Sequence, residues 1–389
     1  MAKLDYRTAG ESHGRALLVL VEGLPAGLSI DMTAIDKELR RRQGGYGRGG
    51  RMAIEHDHVL LLSGVRHGAT IGSPLAMEME NRDFKIEQVP AVHRPRPGHA
   101  DFAGAMKWLT TDCRSTLERA SARETAARVA AGAVATLLLR EFGIEVVGYV
   151  LQIGEVKATV PEEAAAAELS AARDANEVYS IDQAAAPQMV EAVRRAKVDK
   201  DTLGGVVEVR VFGLPPGIGS CARWQDKLSG RLMGAVGSIQ AIKGVEIGLG
   251  FASASLPGSR VHDEIDYRPD EAQDSHLGFV RRTNNAGGLE GGMTNGMPLV
   301  LRAAMKPIST LMLGLDSVNL TTLQPERSDH ERSDICAVPA ASVVVQNVAA
   351  FEVARAWLEK FGGDTMDEVR AAYAFYMESA RRLGSRPQL

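Results

Sequence analysis

Cysteine is scarce in this chain: Cys113, Cys221 and Cys336 are odd in number and far apart. That excludes a disulfide framework and a CxxC metal pair, and reads as a reducing compartment. Neither charge sign dominates, with Lys+Arg 45 against Asp+Glu 49 and a net charge of −4. A general nucleic-acid coat or a polybasic membrane anchor is thereby disfavoured, and any anion site has to come from local clustering. Long apolar runs are missing too. The longest uncharged helical stretch, Val129 to Leu139, is too short to span a bilayer. Lys3, Asp5, Arg7 and Glu11 leave no apolar signal-peptide core. These absences predict a cytoplasmic protein with no membrane partner. There is no repeat at solenoid or propeller period and no low-complexity linker. Hydrophobic residues at 45% and charged residues at 24% are ordinary for a globular protein. The 389 residues suffice for a large core without staples. With no clean boundary in sight, the expectation is one domain over 1–389, the C-terminal helices 350–383 included.

Glycine, by contrast, is plentiful: 40 residues, about a tenth of the chain. Its clusters punctuate the reading. Residues 15–30 suggest short strands. Asp31 to Arg42 has helical spacing, with Ile35 and Leu39 on one face. Gln43 to Arg51 holds five glycines and must be a loop. Ile54 to Val65 reads as a strand pair, and 81–101 as a long, proline-stiffened loop. Ser121-Ala-Arg-Glu124 fits a capping box opening a helix that Gly143 ends near Phe142. Helices are expected over 160–175, 186–198 and 225–240, and two more within 342–383. Strands are expected at Gly205–Phe212 and near 245–251. Helices and strands mix without regular βαβ units, which favours α+β over a doubly wound sheet.

The chemistry-bearing residues sit in those loops. Arg40, Arg41, Arg42, Arg48 and Arg51 crowd a glycine-rich segment free of acids, suited to a lid over phosphate or carboxylate. His93-Arg94-Pro-Arg96-Pro-Gly-His99-Ala-Asp101 holds arginines and histidines on a stiff backbone. Arg119, Ser121 and Arg123 stand at a helix start, where unpaired N–H groups attract anions. Gly10-Glu-Ser-His13-Gly14 lets a side chain approach a ligand closely, without the spacing of a nucleophile elbow. Asn284 to Gly296 is glycine-rich but matches neither a Rossmann fingerprint nor a P-loop. His56-Asp57-His58 puts two histidines on one strand face, yet two ligands make no metal site, and a solvated hairpin is the better reading. The sum is a small multi-anionic ligand and proton transfer, with no obvious nucleophile. A polyanion-binding protein using the 40–51 loop, and a metal-dependent phosphatase using His56 and His58, are the competing classes.

The ordered set of motifs resembles the chorismate synthase family from the N-terminus to about residue 360. The matching stretches are Ala9–Gly14, Arg42–Met52, Arg94–Asp101, Leu117–Gly132, Ile242–Gly248, Asn285–Gly296, Met305–Thr310 and Arg332–Pro339. The resemblance implies a β-α-β sandwich with antiparallel sheets and a helical layer, assembled as a homotetramer. It implies loss of phosphate and the C6 hydrogen from 5-enolpyruvylshikimate 3-phosphate, giving chorismate. Reduced FMN is implied as cofactor without net redox, because the C6 hydrogen is not acidic enough for a base alone. NADPH is implied as reductant where a member is bifunctional. By similarity, Arg42, Arg48, Arg96, Ser121 and Arg123 would clamp the substrate, and Arg42 and Arg48 would meet a nicotinamide nucleotide. His13 would be the acid for departing phosphate, His99 would protonate the reduced flavin, and Asp334 would act near its N5. FMN would contact Arg119, Ala120, Ser121, Gln240, Ala241, Gly291, Lys306, Pro307, Ile308, Ser309, Thr310 and Arg332.

Overall fold

The computed structural model describes residues 3–49, 55–161, 163–329 and 334–383. A first antiparallel sheet joins β1 (Asp5–Ala9), β2 (Ala16–Glu22), β3 (Leu60–Ser63) and β4 (Leu75–Glu80) in the order β1-β2-β4-β3. Alternation decides its inner face: Leu17, Val19 and Val21 on β2, and Leu75, Met77 and Met79 on β4, are all buried. A second sheet contains β5 (Glu145–Ile153), β6 (Val156–Lys157), β7 (Gly205–Phe212), β8 (Ile242–Ile247) and β9 (Leu299–Met305), in the order β8-β9-β7-β5-β6. All its pairings are antiparallel.

Between the sheets lies a helical layer, and the whole is a β-α-β sandwich. Helix α1 spans Met32–Gln43, α2 Asp101–Trp108, α3 Arg114–Arg119 and α4 Thr125–Arg140. Further on come α5 (Ala166–Asp174), α6 (Ala186–Val198), α7 (Leu228–Gly237), α8 (Val338–Lys360) and α9 (Met366–Arg381). The pair α4 and α8 forms the centre, and both are apolar nearly all round because both faces are covered. They approach closely at Gly132, where an added Cβ would sit 2.2 Å from the Asn347 carbonyl oxygen. Among the described residues no helix is long and apolar enough to cross a membrane.

Several sequence expectations change. The expected strand pair over Ile54 to Val65 narrows to β3 and a two-residue strand at Val65–Arg66, Ile54 lying outside the described residues. Residues 55–59 form no strand, and Glu55 and Asp57 turn inward to bond other groups. That overturns the hairpin at His56 and His58. The capping box also fails. Ser121 accepts from the Arg123 N–H at 3.3 Å and caps a short 3₁₀ turn over Ala122–Glu124. Glu124 reaches Thr8, Arg128 and Gln240 instead of returning to Ser121. The strand expected near 245–251 is β8, ending at Ile247, with a 3₁₀ turn over 250–255. The strand at Gly205–Phe212 and the C-terminal helix pair stand as expected.

Candidate active site

Strand β1 ends at Ala9, and Gly10 turns the chain at φ 103°. A Cβ there would lie 2.3 Å from the Ala16 carbonyl oxygen, so the turn admits only glycine. The turn delivers Ser12 and His13 against the end of α3. The Ser12 N–H donates to the Glu118 carbonyl at 3.0 Å, and the Ser12 and Ser121 hydroxyls are 3.2 Å apart. His13 Nδ1 meets the Glu118 carboxylate at 2.9 and 3.0 Å, while Nε2 lies 3.6 Å from Asp83. Arg119 donates to the Thr8 and Gly10 carbonyls and so holds the rim of this turn.

Beside it lies a buried cluster of arginines and acids. Arg42, on the last turn of α1, donates from Nε to Thr125 Oγ1 and from Nη2 to the Ala122 carbonyl, both at 2.9 Å. Its Nη1 is 3.4 Å from Asp57. Arg123 takes both oxygens of the same Asp57 at 2.6 and 2.7 Å, and Asn81 at 2.8 Å. Two guanidiniums thus share one carboxylate. Burial pushes the Arg42 guanidinium down to about 9; Asp57 opposes this, while Arg123 and Arg48 add to it. A cation so disfavoured is stabilised by an incoming anion. Among the described residues Arg123 Nη2 is buried without a hydrogen-bond partner, its nearest acid being Glu55 at 3.9 Å, which leaves a donor for such a ligand.

The second group is built on the proline-stiffened loop. Arg96 donates to Asp101 from Nε at 2.8 Å and from Nη1 to Thr310 Oγ1 at 2.8 Å. His99 Nδ1 lies 2.5 Å from Asp101. Burial disfavours the Asp101 carboxylate, but His99 and Arg96 outweigh it and hold its carboxyl well below the usual range. Gly98 abuts Ser309 and Lys306, and the Lys306 N–H donates to the Ala241 carbonyl at 3.0 Å. Gln240 in turn donates to Glu124 at 3.1 Å, which ties this group to the Ser121–Arg123 turn. The third piece is Arg48, whose Nη1 is 2.5 Å from Asp334; the Gly49 N–H also reaches Asp334.

Hydrogen bonds, together with the short segments Arg119–Arg123, Gln240–Ala241 and Lys306–Thr310, therefore connect His13, Arg42, Arg119, Ala120, Ser121, Arg123, Gln240 and Ala241 with Arg96, His99 and Lys306 to Thr310. Arg48 and Asp334 reach Arg42 through charge. Gly291 stands apart: its hairpin packs on the start of α7, where the Leu228 N–H donates to the Gly292 carbonyl. Arg332 and Arg51 lie outside the described residues. His58 bonds Asp36, and among the described residues it joins no metal cluster; the three-residue grouping Glu271, Asp274 and His276 contains no candidate residue. A cavity of about 670 Å³ lined by Lys3, Arg223 and Lys360 also contains none.

Sequence reasoning missed the acids that organise the site. Asp57 was hidden between two histidines, and Glu118 preceded the arginine–serine motif without any mark of burial. Asn81 carried no signal at all.

Comparisons with known proteins agree over the whole fold. The family described as chorismate synthase matches residues 4–358. The chorismate synthase of Desulforudis audaxviator (strain MP104C) is 53% identical over 393 residues, covering 97% of this chain and 98% of that one. That of Symbiobacterium thermophilum (strain DSM 24528 / JCM 14929 / IAM 14863 / T) is 53% identical over 396 residues, covering 97% and 100%. A solved structure titled as the crystal structure of chorismate synthase superposes with a TM-score of 0.80 at 38% identity, covering 98% of this chain and 100% of that one. The chain belongs to the chorismate synthase family.

Proposed function

We propose that this site carries out a reduced-FMN-dependent 1,4-elimination of phosphate from 5-enolpyruvylshikimate 3-phosphate, giving chorismate. Family membership already makes the chain a carbon–oxygen lyase of the shikimate pathway, on the route to aromatic amino acids. The observation that carries the finer reading is the buried Arg42–Asp57–Arg123 arrangement, in which Arg123 Nη2 has no hydrogen-bond partner among the described residues and only the Glu55 carboxylate at 3.9 Å. It suits a ligand bearing a phosphate and two carboxylates.

In this reading Arg42, Arg48, Arg96, Ser121 and Arg123 bind those anionic groups. His13 gives a proton to the oxygen of the departing phosphate. His99, held by Asp101, keeps a proton beside the cofactor ring, and Asp334 belongs to the path by which the C6 hydrogen leaves. The residues that would hold FMN are Arg119 to Ser121, Gln240, Ala241, Gly291, Lys306 to Thr310 and Arg332. Gly291, which stands apart, and Arg332, outside the described residues, rest on the family resemblance alone; Lys306 and Gln240 fit the group on two counts. No carboxylate among the described residues pairs with Lys306, whose ammonium is pushed down by burial and by Lys243. Among the described residues the buried Gln240 Oε1 has no hydrogen-bond partner. The chemistry that reduced FMN would supply there is electron density for C–O cleavage, with no net redox. Arg42 and Arg48 would also meet NADPH if the chain reduces its own flavin. A cytoplasmic homotetramer is the assembly we propose.

The test is anaerobic. Substrate with dithionite-reduced FMN should give chorismate and phosphate over many turnovers per flavin, while oxidised FMN gives none. Stoichiometric oxidation of flavin during turnover would overturn the reading.

A further inference from the structure

Both candidate histidines lean on a buried carboxylate, in different ways. His99 shares Asp101 with Arg96, which takes both Asp101 oxygens. His13 stands in another relation to Glu118. Both carboxylate oxygens reach its Nδ1, at 2.9 and 3.0 Å, and Oε2 also accepts the His13 backbone N–H at 2.8 Å. The Glu118 side chain is 1% exposed, so water does not compete for it. Arg114 Nη1 lies 3.5 Å from it. On the far side of the ring, Nε2 faces Asp83, which pairs with Lys85. Burial alone would favour a neutral Glu118. The hydrogen bond and charge of His13, its backbone N–H and Arg114 outweigh that, and hold the carboxyl below the usual range.

An ionised carboxylate has no proton to give, so Nδ1 must be the donor in this contact. Neutral His13 then carries its proton on Nδ1, and Nε2 is the nitrogen that gains and loses one. We infer that Glu118 is a positioning residue for the elimination: it locks His13 in the Nδ1–H form, so that Nε2 alone passes a proton to the departing phosphate. The inference rests on the proposed role of His13 and adds the group that sets it. In the step, the Nε2–H bond breaks and an O–H bond forms on the phosphate as it leaves. His13 passes from imidazolium to the Nδ1–H imidazole. Glu118 keeps its charge throughout. Because one carboxylate grips both the ring and the backbone of residue 13, a ring flip would cost the Nδ1 contacts.

The competing account is that Glu118 merely fastens the 12–13 turn to α3. Glu118→Gln separates the two. Its single oxygen can still accept the backbone N–H, but its amide NH₂ then faces Nδ1 and favours the Nε2–H tautomer. The experiment uses the full chain with ¹⁵N-labelled histidine, the His13 resonances being assigned by their loss in His13→Ala. Neutral His13 should be Nδ1-protonated in the wild-type chain and Nε2-protonated in Glu118→Gln. Turnover with reduced FMN should fall by about 10²-fold or more, as loss of a working acid does, with KM changed by less than about threefold. Adding Glu118→Gln to His13→Ala should cost less than about twofold further, because the effect passes through His13. An Nε2-protonated His13 in the wild-type chain would overturn the inference even if the variant failed to fold. So would a Glu118→Gln variant with unchanged tautomer and turnover. If His13→Ala itself turns over normally, the acid role of His13 fails, while the tautomer spectra still report on Glu118.

Discussion

Two buried guanidiniums share Asp57 as their nearest carboxylate, with Glu55 at 3.9 Å from Arg123, so both depend heavily on Asp57 or on an incoming anion. Removing one partner of a buried ion pair typically costs about 3–5 kcal/mol, because a charge is left uncompensated. Asp57→Asn should therefore lower stability by that order, and added phosphate should restore part of it. Thermal melts of wild type and variant, each with and without phosphate, check this; an equal phosphate response in both would show that Arg42 and Arg123 do not share the load. The Arg48–Asp334 pair makes a second claim. Losing a charge-assisted contact to a bound anion costs about 1.5–3 kcal/mol, so Arg48→Ala should weaken substrate binding roughly 10- to 150-fold. FMN affinity should change less, which titrations of both ligands measure. Asp334→Asn keeps size and an acceptor but cannot take a proton. If Asp334 serves hydrogen removal, turnover falls with both affinities nearly intact, and the isotope effect from deuterium at C6 grows. Near-normal turnover with the same isotope effect would leave Asp334 as a partner of Arg48 only.

At the scale of elements, α4 and α8 carry the fold, and their distance is set at Gly132. Gly132→Ala puts a methyl group 2.2 Å from a carbonyl oxygen of the other helix, so the helices must separate. Overpacking of this kind costs about 1–3 kcal/mol. The urea midpoint should fall while the m-value stays constant; an unchanged midpoint would mean that the layer yields freely. Elements of this kind were legible in the sequence. The Gly205–Phe212 strand and the C-terminal helices follow from apolar period and turn residues. What was not legible came from partners distant in the chain. Residues 55–59 have the alternation of a strand, yet Glu55 and Asp57 face Arg82, Asp83 and Arg123 instead of a neighbouring strand. Ser121 and Glu124 have capping-box spacing, but Thr8 and Gln240 bind Glu124 more directly than the Ser121 backbone can. The arginines of the site were visible as glycine-flanked charges. The acids that aim them were not, because nothing local distinguishes Glu118 or Asp57 from a solvated carboxylate.

For the whole molecule, one buried apolar cluster runs from Leu4 to Val369 and includes residues of both sheets and the helices between them. Arg355 on α8 binds the Leu4 carbonyl and Asp5 at 2.8 and 2.7 Å, which ties β1 to the C-terminal part. The described residues from Leu4 to Val369 thus share one core, and the response to acid follows from buried carboxylates at the site. Asp101, Glu118 and Glu124 are all held below the usual carboxylate range by their cationic and hydrogen-bonding partners, against the opposing effect of burial. A depressed folded-state value means that the unfolded chain binds protons first as pH falls. The stability these groups contribute is complete above the unfolded values near ~4 and is lost as pH drops through the lower folded values. Asp101→Asn removes one of them while keeping size. The stability gap between wild type and Asp101→Asn should then be widest near neutral pH and close progressively below about pH 4, as the wild-type carboxylate takes up its proton. Denaturant titrations across that range measure the gap directly. Curves that stay parallel down to the most acidic point would show that Asp101 contributes by shape alone, and that its pairing with Arg96 and His99 gives no net stability to the fold.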